Sequence, residues 1–181
     1  RMFLGAPLVY PTNNITNGTP STNYFIGPLV LSDDNFAGAV NYYFTGTDLY
    51  GFSSSELTKI GRSGDLITKY NITNWDVSNV TDMSDVFANS SFNLNINGWD
   101  VSNVTNMSGM FMGCSQFNQP LDLWNVSLVT DMSNMFSGCT LFNQLLNSWD
   151  VSNVTDMSYM FYNDASFNQP LAAWNVYNVT N

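Results

Sequence analysis

Apolar residues recur at fixed steps through the second half of the chain. Trp stands at 75, 99, 124, 149 and 174, so the spacings are 24, 25, 25 and 25. Val follows two residues later, at Val77, Val101, Val126, Val151 and Val176, and again at Val80, Val104, Val129, Val154 and Val179. Met83, Met107, Met132 and Met157 form the next column, and Phe87, Phe111, Phe136 and Phe161 close it 12 residues after each Trp. A second Phe stands 7 residues before each following Trp, at Phe92, Phe117, Phe142 and Phe167. Ile96, Leu121, Leu146 and Leu171 complete the pattern. A unit of this size cannot bury its own apolar face, whereas stacked units bury a continuous core.

The local pattern predicts the elements. Residues two apart share a face only in an extended chain, so Trp-x-Val predicts a short strand. From Met83 to Val86 and Phe87 the steps are three and four, which predicts one or two helical turns. Asp82, Asn106, Asp131 or Asp156 precedes that stretch as a candidate N-cap. The first repeat is one residue short between Phe87 and Phe92, which marks that segment as a loop. The expected architecture is a repeat solenoid with a short parallel strand and a short helix per coil. The competing arrangement is a row of separate hairpins of common descent.

Upstream, Phe36, Val40, Tyr43 and Phe44 make a helical stripe,. Asp33 and Asp34 favour its N-terminus and Gly46 its end. This predicts a helix over 33–44 that caps the N-terminal side of the repeats. Residues 1–31 carry Pro7, Pro11, Pro20 and Pro28 and are expected to be irregular. Residues 51–70, with Gly51, Gly61 and Gly64, are expected to form a loop. The domains are thus 1–31 (irregular), 32–70 (capping helix and loop) and 71–181 (four to five repeats).

The residues also carry a resemblance. Leu121-x-x-Trp124-x-Val126 has the form of the strand segment of leucine-rich repeats. The wording W-D-V-S-N-V-T-D-M-S-x-M-F resembles the BspA-like surface repeat, also catalogued as a mycoplasma lipoprotein repeat of unknown function. It covers about residues 71–181, with departures at the short first repeat, Leu145 and Asp164. The resemblance implies a leucine-rich-repeat-like solenoid with a concave strand face, and a role in adhesion or partner binding.

Length fits one domain, or one domain plus a cap. No apolar run is long enough to span a membrane, and no signal peptide is recognised. The chain opens on Arg1 and stops at Asn181, inside a repeat. The expectation is that the native protein continues, or that a neighbouring chain covers the open C-terminal coil.

Charge narrows the partners. The chain has 4 basic and 14 acidic residues and a net charge of -10. All the basic residues (Arg1, Lys59, Arg62, Lys69) precede residue 70, and 71–181 holds nine Asp without Glu, Lys or Arg. Such a surface repels phosphate, which argues against nucleic acid.

Cys114 and Cys139 occupy equivalent positions one repeat apart. Equivalent Cα atoms of adjacent coils lie roughly 5 Å apart, which is compatible with a disulfide. The favoured reading is a pair of buried free thiols in a core column, since Cys is readily buried. Asn14 and Asn17 begin acceptor sequons in what reads as an exposed loop,. Asn79, Asn103, Asn153 and Asn178 begin others, where an asparagine bonding local backbone is the competing reading.

On the Trp-x-Val strand the intervening residue points outward. That column is Asp76, Asp100, Asn125, Asp150 and Asn175, and the next is Ser78, Ser102, Ser127, Ser152 and Tyr177. Together they make the expected binding face for a protein or glycan. Clustered Asp also raises Ca²⁺ as a candidate ligand. Asn93, Asn118, Asn143 and Asn168 read as a structural ladder. Without His, a nucleophile–base pair or a phosphate loop, an enzyme is not expected. The sequence points to an extracellular, cell-surface or virion-surface binding module. Its alternative is a structural component of a virion or cell-wall assembly.

Overall fold

The structure, a computed structural model, describes residues 30–45 and 72–181. The readings of 1–29 and 46–71, with Asn14, Asn17 and all four basic residues, lie outside the described residues. In chain order the elements are β1 (Val30–Ser32), α1 (Phe36–Thr45), a 3₁₀ turn at Ile72–Asn74 and β2 (Asp76–Asn79). β1 pairs parallel to β2, with Val30 opposite Asp76 and Ser32 opposite Asn79.

Beyond β2 the repeats lie over one another, like residue over like. Parallel bridges join Asp82 to Asn106, Asn106 to Asp131, and Asp131 to Asp156. In the first repeat the N–H groups of Met83, Asp85, Phe87 and Asn89 donate to carbonyls of Asn106, Ser108, Met110 and Met112, at 2.6–3.0 Å. The same four positions repeat the bonds from Met107, Gly109, Phe111 and Gly113, and from Met132, Asn134, Phe136 and Gly138. All of these donors point from the lower-numbered repeat to the higher. The backbone bonds that run the other way cluster at one position: Thr105, Thr130, Thr155 and Thr180 each donate an N–H to the preceding Thr carbonyl at 2.8–2.9 Å, and Asn106 and Asp156 share the Thr81 and Thr130 carbonyls at 3.4 Å.

The stretch expected to be helical is a run of tight turns. Met110 donates to Met107, Met112 to Gly109 and Cys114 to Phe111. Residues two after each Met and two after each Phe have φ between 55° and 76°, which no right-handed helix accommodates,. They are Asp85, Asn89, Gly109, Gly113, Asn134, Gly138, Tyr159 and Asn163. Seven of these eight are Gly, Asn or Asp, the types that enter the left-handed region at least cost. Gly109 is further constrained, since a Cβ there would collide with the Asp85 carboxylate of the repeat before. The expected N-cap residues act as Asx turns instead: Ser84, Ser108, Ser133 and Ser158 donate their N–H to Oδ1 of Asp82, Asn106, Asp131 and Asp156. The Trp-x-Val segment is a strand only at β2. Among the described residues its later copies have no strand pairing, and a turn follows each, with Val104 donating to Val101 and Val129 to Val126.

The apolar columns form one core. Phe136 lies 5.7 Å from Phe111 and 5.7 Å from Phe161, with ring planes within 7° and 9°. Phe142 stacks the same way on Phe117 and Phe167, and Trp149 on Trp124 and Trp174. From Trp99 onward the indole N–H reaches the preceding repeat: Trp99 to Ile72, Trp124 to Ile96, Trp149 to Leu121 and Trp174 to Leu146, at 2.9–3.1 Å. These four keep their one donor satisfied, whereas the buried indole N–H of Trp75 has no partner among the described residues. On the return segment Asn93 Oδ1 accepts the Asn118 N–H and the Gln119 amide. Asn118 and Asn143 do the same for Asn143 with Gln144 and for Asn168 with Gln169.

α1 covers the first repeat. Phe36 meets Trp99 edge-on at 5.7 Å, and Tyr43 meets Trp75 edge-on at 6.1 Å. The helix starts later than the stripe predicts, because Asn35 takes the capping position. Asn35 Oδ1 accepts the Ser32 N–H at 3.0 Å, and its carbonyl accepts the Ala39 N–H at 2.9 Å. The side chain of Phe44 lies outside the described residues.

Asp33, expected at the helix start, serves the first repeat instead. Its Oδ1 accepts the N–H groups of Thr81 and Asp82, and its Oδ2 the Thr81 hydroxyl, at 2.6–3.0 Å. In the next repeat the Thr81 carbonyl plays this part for Thr105 and Asn106. Partial burial pushes the Asp33 carboxyl up, but the three bonds outweigh it and hold the group below its ordinary value. Asp33→Ala should cost about 1 kcal/mol, the usual loss of a capping oxygen, read by urea unfolding. An unchanged midpoint would remove this role.

Candidate functional site

The outward columns are built on a local motif. Ser78, Ser102, Ser127, Ser152 and Tyr177 donate their N–H to Oδ1 of Asp76, Asp100, Asn125, Asp150 and Asn175, at 3.1–3.2 Å. Each pair is an Asx turn, in which a short side chain supplies the acceptor that turns the backbone. In the first repeat the Ser78 hydroxyl adds a bond of 2.7 Å to Asp76 Oδ1. The acceptor columns are thus part of the scaffold, which the alternation of the sequence did not reveal.

Asp100 and Asp150 are exposed, and each carboxylate is bonded only by the serine two residues on. The hydroxyl and amide of Ser102 hold the Asp100 carboxyl below its ordinary value, and those of Ser152 do so for Asp150. Both carboxylates are therefore ionised at neutral pH, and the face is negative. Asn125 and Asn175 make the same turn without the charge. Ser78, Ser102, Ser127 and Ser152 are half-buried, while Tyr177 is 90% exposed.

The sequon column is also tied to the scaffold. Asn103, Asn153 and Asn178 donate their side-chain amides to carbonyls of Ser78, Ser127 and Ser152, at 2.7–2.8 Å. Leu128 replaces the asparagine in the third repeat and stands exposed.

Cys114 and Cys139 are buried free thiols, and the alternative disulfide between them is not formed. Each Sγ donates to a carbonyl of the repeat before, Cys114 to Phe87 at 2.9 Å and Cys139 to Phe111 at 3.0 Å. That bond directs the thiols along the stack one after another. Burial pushes both thiols well up in pKa, so they stay protonated and unreactive,. Among the described residues no group of three or more His, Cys, Asp or Glu comes together around a common point.

A second surface lies at the last full repeat. Tyr159 and Tyr162 are 66% and 56% exposed and meet edge-on at 5.7 Å. With Met157, Phe161 and Trp174 they line an open apolar groove of about 420 Å³. The corresponding residues in earlier repeats are small or flexible: Asp85, Gly109 and Asn134 for Tyr159, and Ala88, Met112 and Ser137 for Tyr162. Among the described residues Tyr159 is also the one bulky side chain held at a left-handed φ. The tyrosines were visible in the sequence only as departures from the repeat.

No helix among the described residues is long and apolar enough to cross a membrane. No curated protein matches the chain, and no solved structure does. The family model for Mycoplasma protein of unknown function, DUF285, matches residues 56–145 and again 120–181, so its unit spans several of the 25-residue repeats. On that match, which takes in most of the chain, the protein belongs to the DUF285 family.

Proposed function

We propose that this chain is a surface-exposed binding module of the BspA-like kind. In this reading its repeats form a leucine-rich-repeat-like solenoid, and its negative Asx face engages a protein or glycan outside the cell. The observation that carries it is the outward line of Asp100 and Asp150, ionised and held in one orientation by Asx turns. Groups fixed before binding lose little entropy on contact. With no basic residue between 71 and 181, complementary charge must come from the partner. The mycoplasma repeat family is consistent with a surface lipoprotein.

The test is to pan the labelled chain over a glycan array and immobilised extracellular-matrix proteins, then repeat each hit with Asp100→Asn/Asp150→Asn. Asn125 and Asn175 show that asparagine keeps the turn, so Tm should stay within a degree or two. Binding should fall about tenfold and lose its salt dependence. Hits that bind the double variant equally well would rule out this face.

The second reading is a structural component whose neighbouring chains stack on the last repeat. The groove at Tyr159, Phe161 and Trp174 favours it. Native mass spectrometry separates the two: a monomer that retains binding supports the module, and an obligate assembly supports the structural role.

A further inference from the structure

Ser90, Cys114, Cys139 and Asp164 occupy one column of the stack. The first three each bring a proton to a backbone carbonyl. Ser90 Oγ donates to Phe87 at 2.7 Å, Cys114 Sγ to Phe87 at 2.9 Å and Cys139 Sγ to Phe111 at 3.0 Å. Phe111 lies 28 residues before Cys139, and Phe136 lies the same 28 before Asp164. The Phe136 carbonyl accepts the Cys139 N–H at 2.9 Å. In the repeat before, Phe111 accepts the Cys114 N–H and a side-chain donor as well. At Phe136 the side-chain position belongs to Asp164.

Asp164 differs from the others in needing to be neutral to donate. Its Oδ1 accepts the Ser166 N–H at 3.3 Å. Its Oδ2 is buried and without a partner. A carboxylate oxygen placed toward a carbonyl lone pair is repelled, whereas a carboxyl O–H makes the bond. Among the described residues it has no cationic neighbour. Cys139 faces it from the preceding repeat and is held protonated by burial. The amides of Ser166 and Phe167 face it from its own repeat. Residues 72–181 contain no Lys, Arg or His.

We propose that Asp164 is a protonation-dependent clasp, whose neutral carboxyl donates to the Phe136 carbonyl and holds the last repeat, with Tyr159 and Tyr162, against the repeat before. Ionisation releases the proton to solvent, breaks that bond and loosens the last repeat.

The sign follows from burial, which pushes the Asp164 carboxyl up to about 6 from an ordinary 3.8. A raised carboxyl pKa means that the folded state holds the proton more tightly than the unfolded chain. The contribution is whole below 3.8 and is lost as pH rises through about 6. Asp33, Asp100, Asp150 and Asp156 are held below the ordinary value. They stay ionised from pH 5 to 7.5 and do not compete in that window.

The test is hydrogen exchange followed by mass spectrometry from pH 5 to 7.5, corrected for intrinsic rates. It reads the amides of Asn134, Phe136 and Gly138, which donate to Ser158, Met160 and Tyr162 of the last repeat. Protection in the unaltered chain should fall about tenfold over this window, because only about one unit of the difference between 3.8 and about 6 is lost above pH 5,. Asp164→Asn keeps a donor without a titration, and Asp164→Cys restores the column. Both should keep high protection at every pH. Carboxyl ¹³C shifts of the unaltered chain supply a readout independent of any variant, with Asp164 titrating near 6. Flat protection, an asparagine variant with the pH dependence of the unaltered chain, or an Asp164 titration near 4 would each overturn the proposal.

Discussion

Phe136→Ala is expected to lower the unfolding free energy by about 3–5 kcal/mol, the upper range for a core phenylalanine. The ring is fully buried. It is stacked between Phe111 and Phe161 and packed at 4.1 Å against Phe142 and at 6.4 Å against Trp149. A cavity costs most where its walls cannot move in, and these walls are pinned. The Phe111 N–H is bonded to Met135 at 3.0 Å, and the Phe136 N–H to Met160 at 2.9 Å. Phe161→Ala is the comparison, since that ring is only half-buried and its loss should cost less than half as much. Urea unfolding reads both. Equal costs would mean that burial is not graded along the stack. A broadened transition for Phe136→Ala would show that repeats on either side unfold separately, as nearest-neighbour arrays do.

Cys139→Asp should produce the other large effect, and one that depends on pH. The thiol is fully buried, and the described residues include no cation. An uncompensated buried charge costs about 3–5 kcal/mol, so the new carboxyl should stay neutral until folding yields. The variant should be nearly as stable as Cys139→Ser at pH 4.5 and lose most of its stability by pH 8. Cys139→Ser keeps a donor for the Phe111 carbonyl and should cost about 1 kcal/mol. Thermal melts of the two variants at both pH values decide it. Parallel curves would mean that water reaches this column.

The apolar columns were legible because burial is what a repeat encodes. Trp124, Val126, Met132, Phe136, Phe142 and Leu146 all lie in the core. The asparagine ladder was legible too, because an amide repeated at a turn has few other uses. The short helix was misread for a physical reason. Steps of three and four suit a helix, but they equally suit a succession of tight turns. What separates the two is the sign of φ, and its signal was present. Asp85, Gly109 and Asn134 share one column, and Asn89, Gly113, Gly138 and Asn163 the other. Asp33 was misassigned because two carboxylates before an amphipathic stripe satisfy a local rule. Its partners at Thr81 and Asp82 stand 48 and 49 residues away, beyond the reach of any window. The outward Asx column was legible as a face but not as a turn, since alternation gives direction and not bonding. The tyrosines of the last repeat invite a reading only once the groove they line is known.

The direction of the inter-repeat bonds has an electrical consequence. In an ordinary β-ladder, donors and acceptors alternate and their dipoles largely cancel. Here, in each of the first three interfaces, four peptides point one way and one or two point back. Each carries about 3.5 D, so their moments add from repeat to repeat instead of cancelling. The stack is therefore a macrodipole lying across the chain direction, comparable in kind to that of a helix. Its positive sense points toward the higher-numbered repeats, and its negative sense toward Asp33 and α1. A protein with a net charge of -10 thus carries between its acidic flanks a polarity that each stacked repeat lengthens.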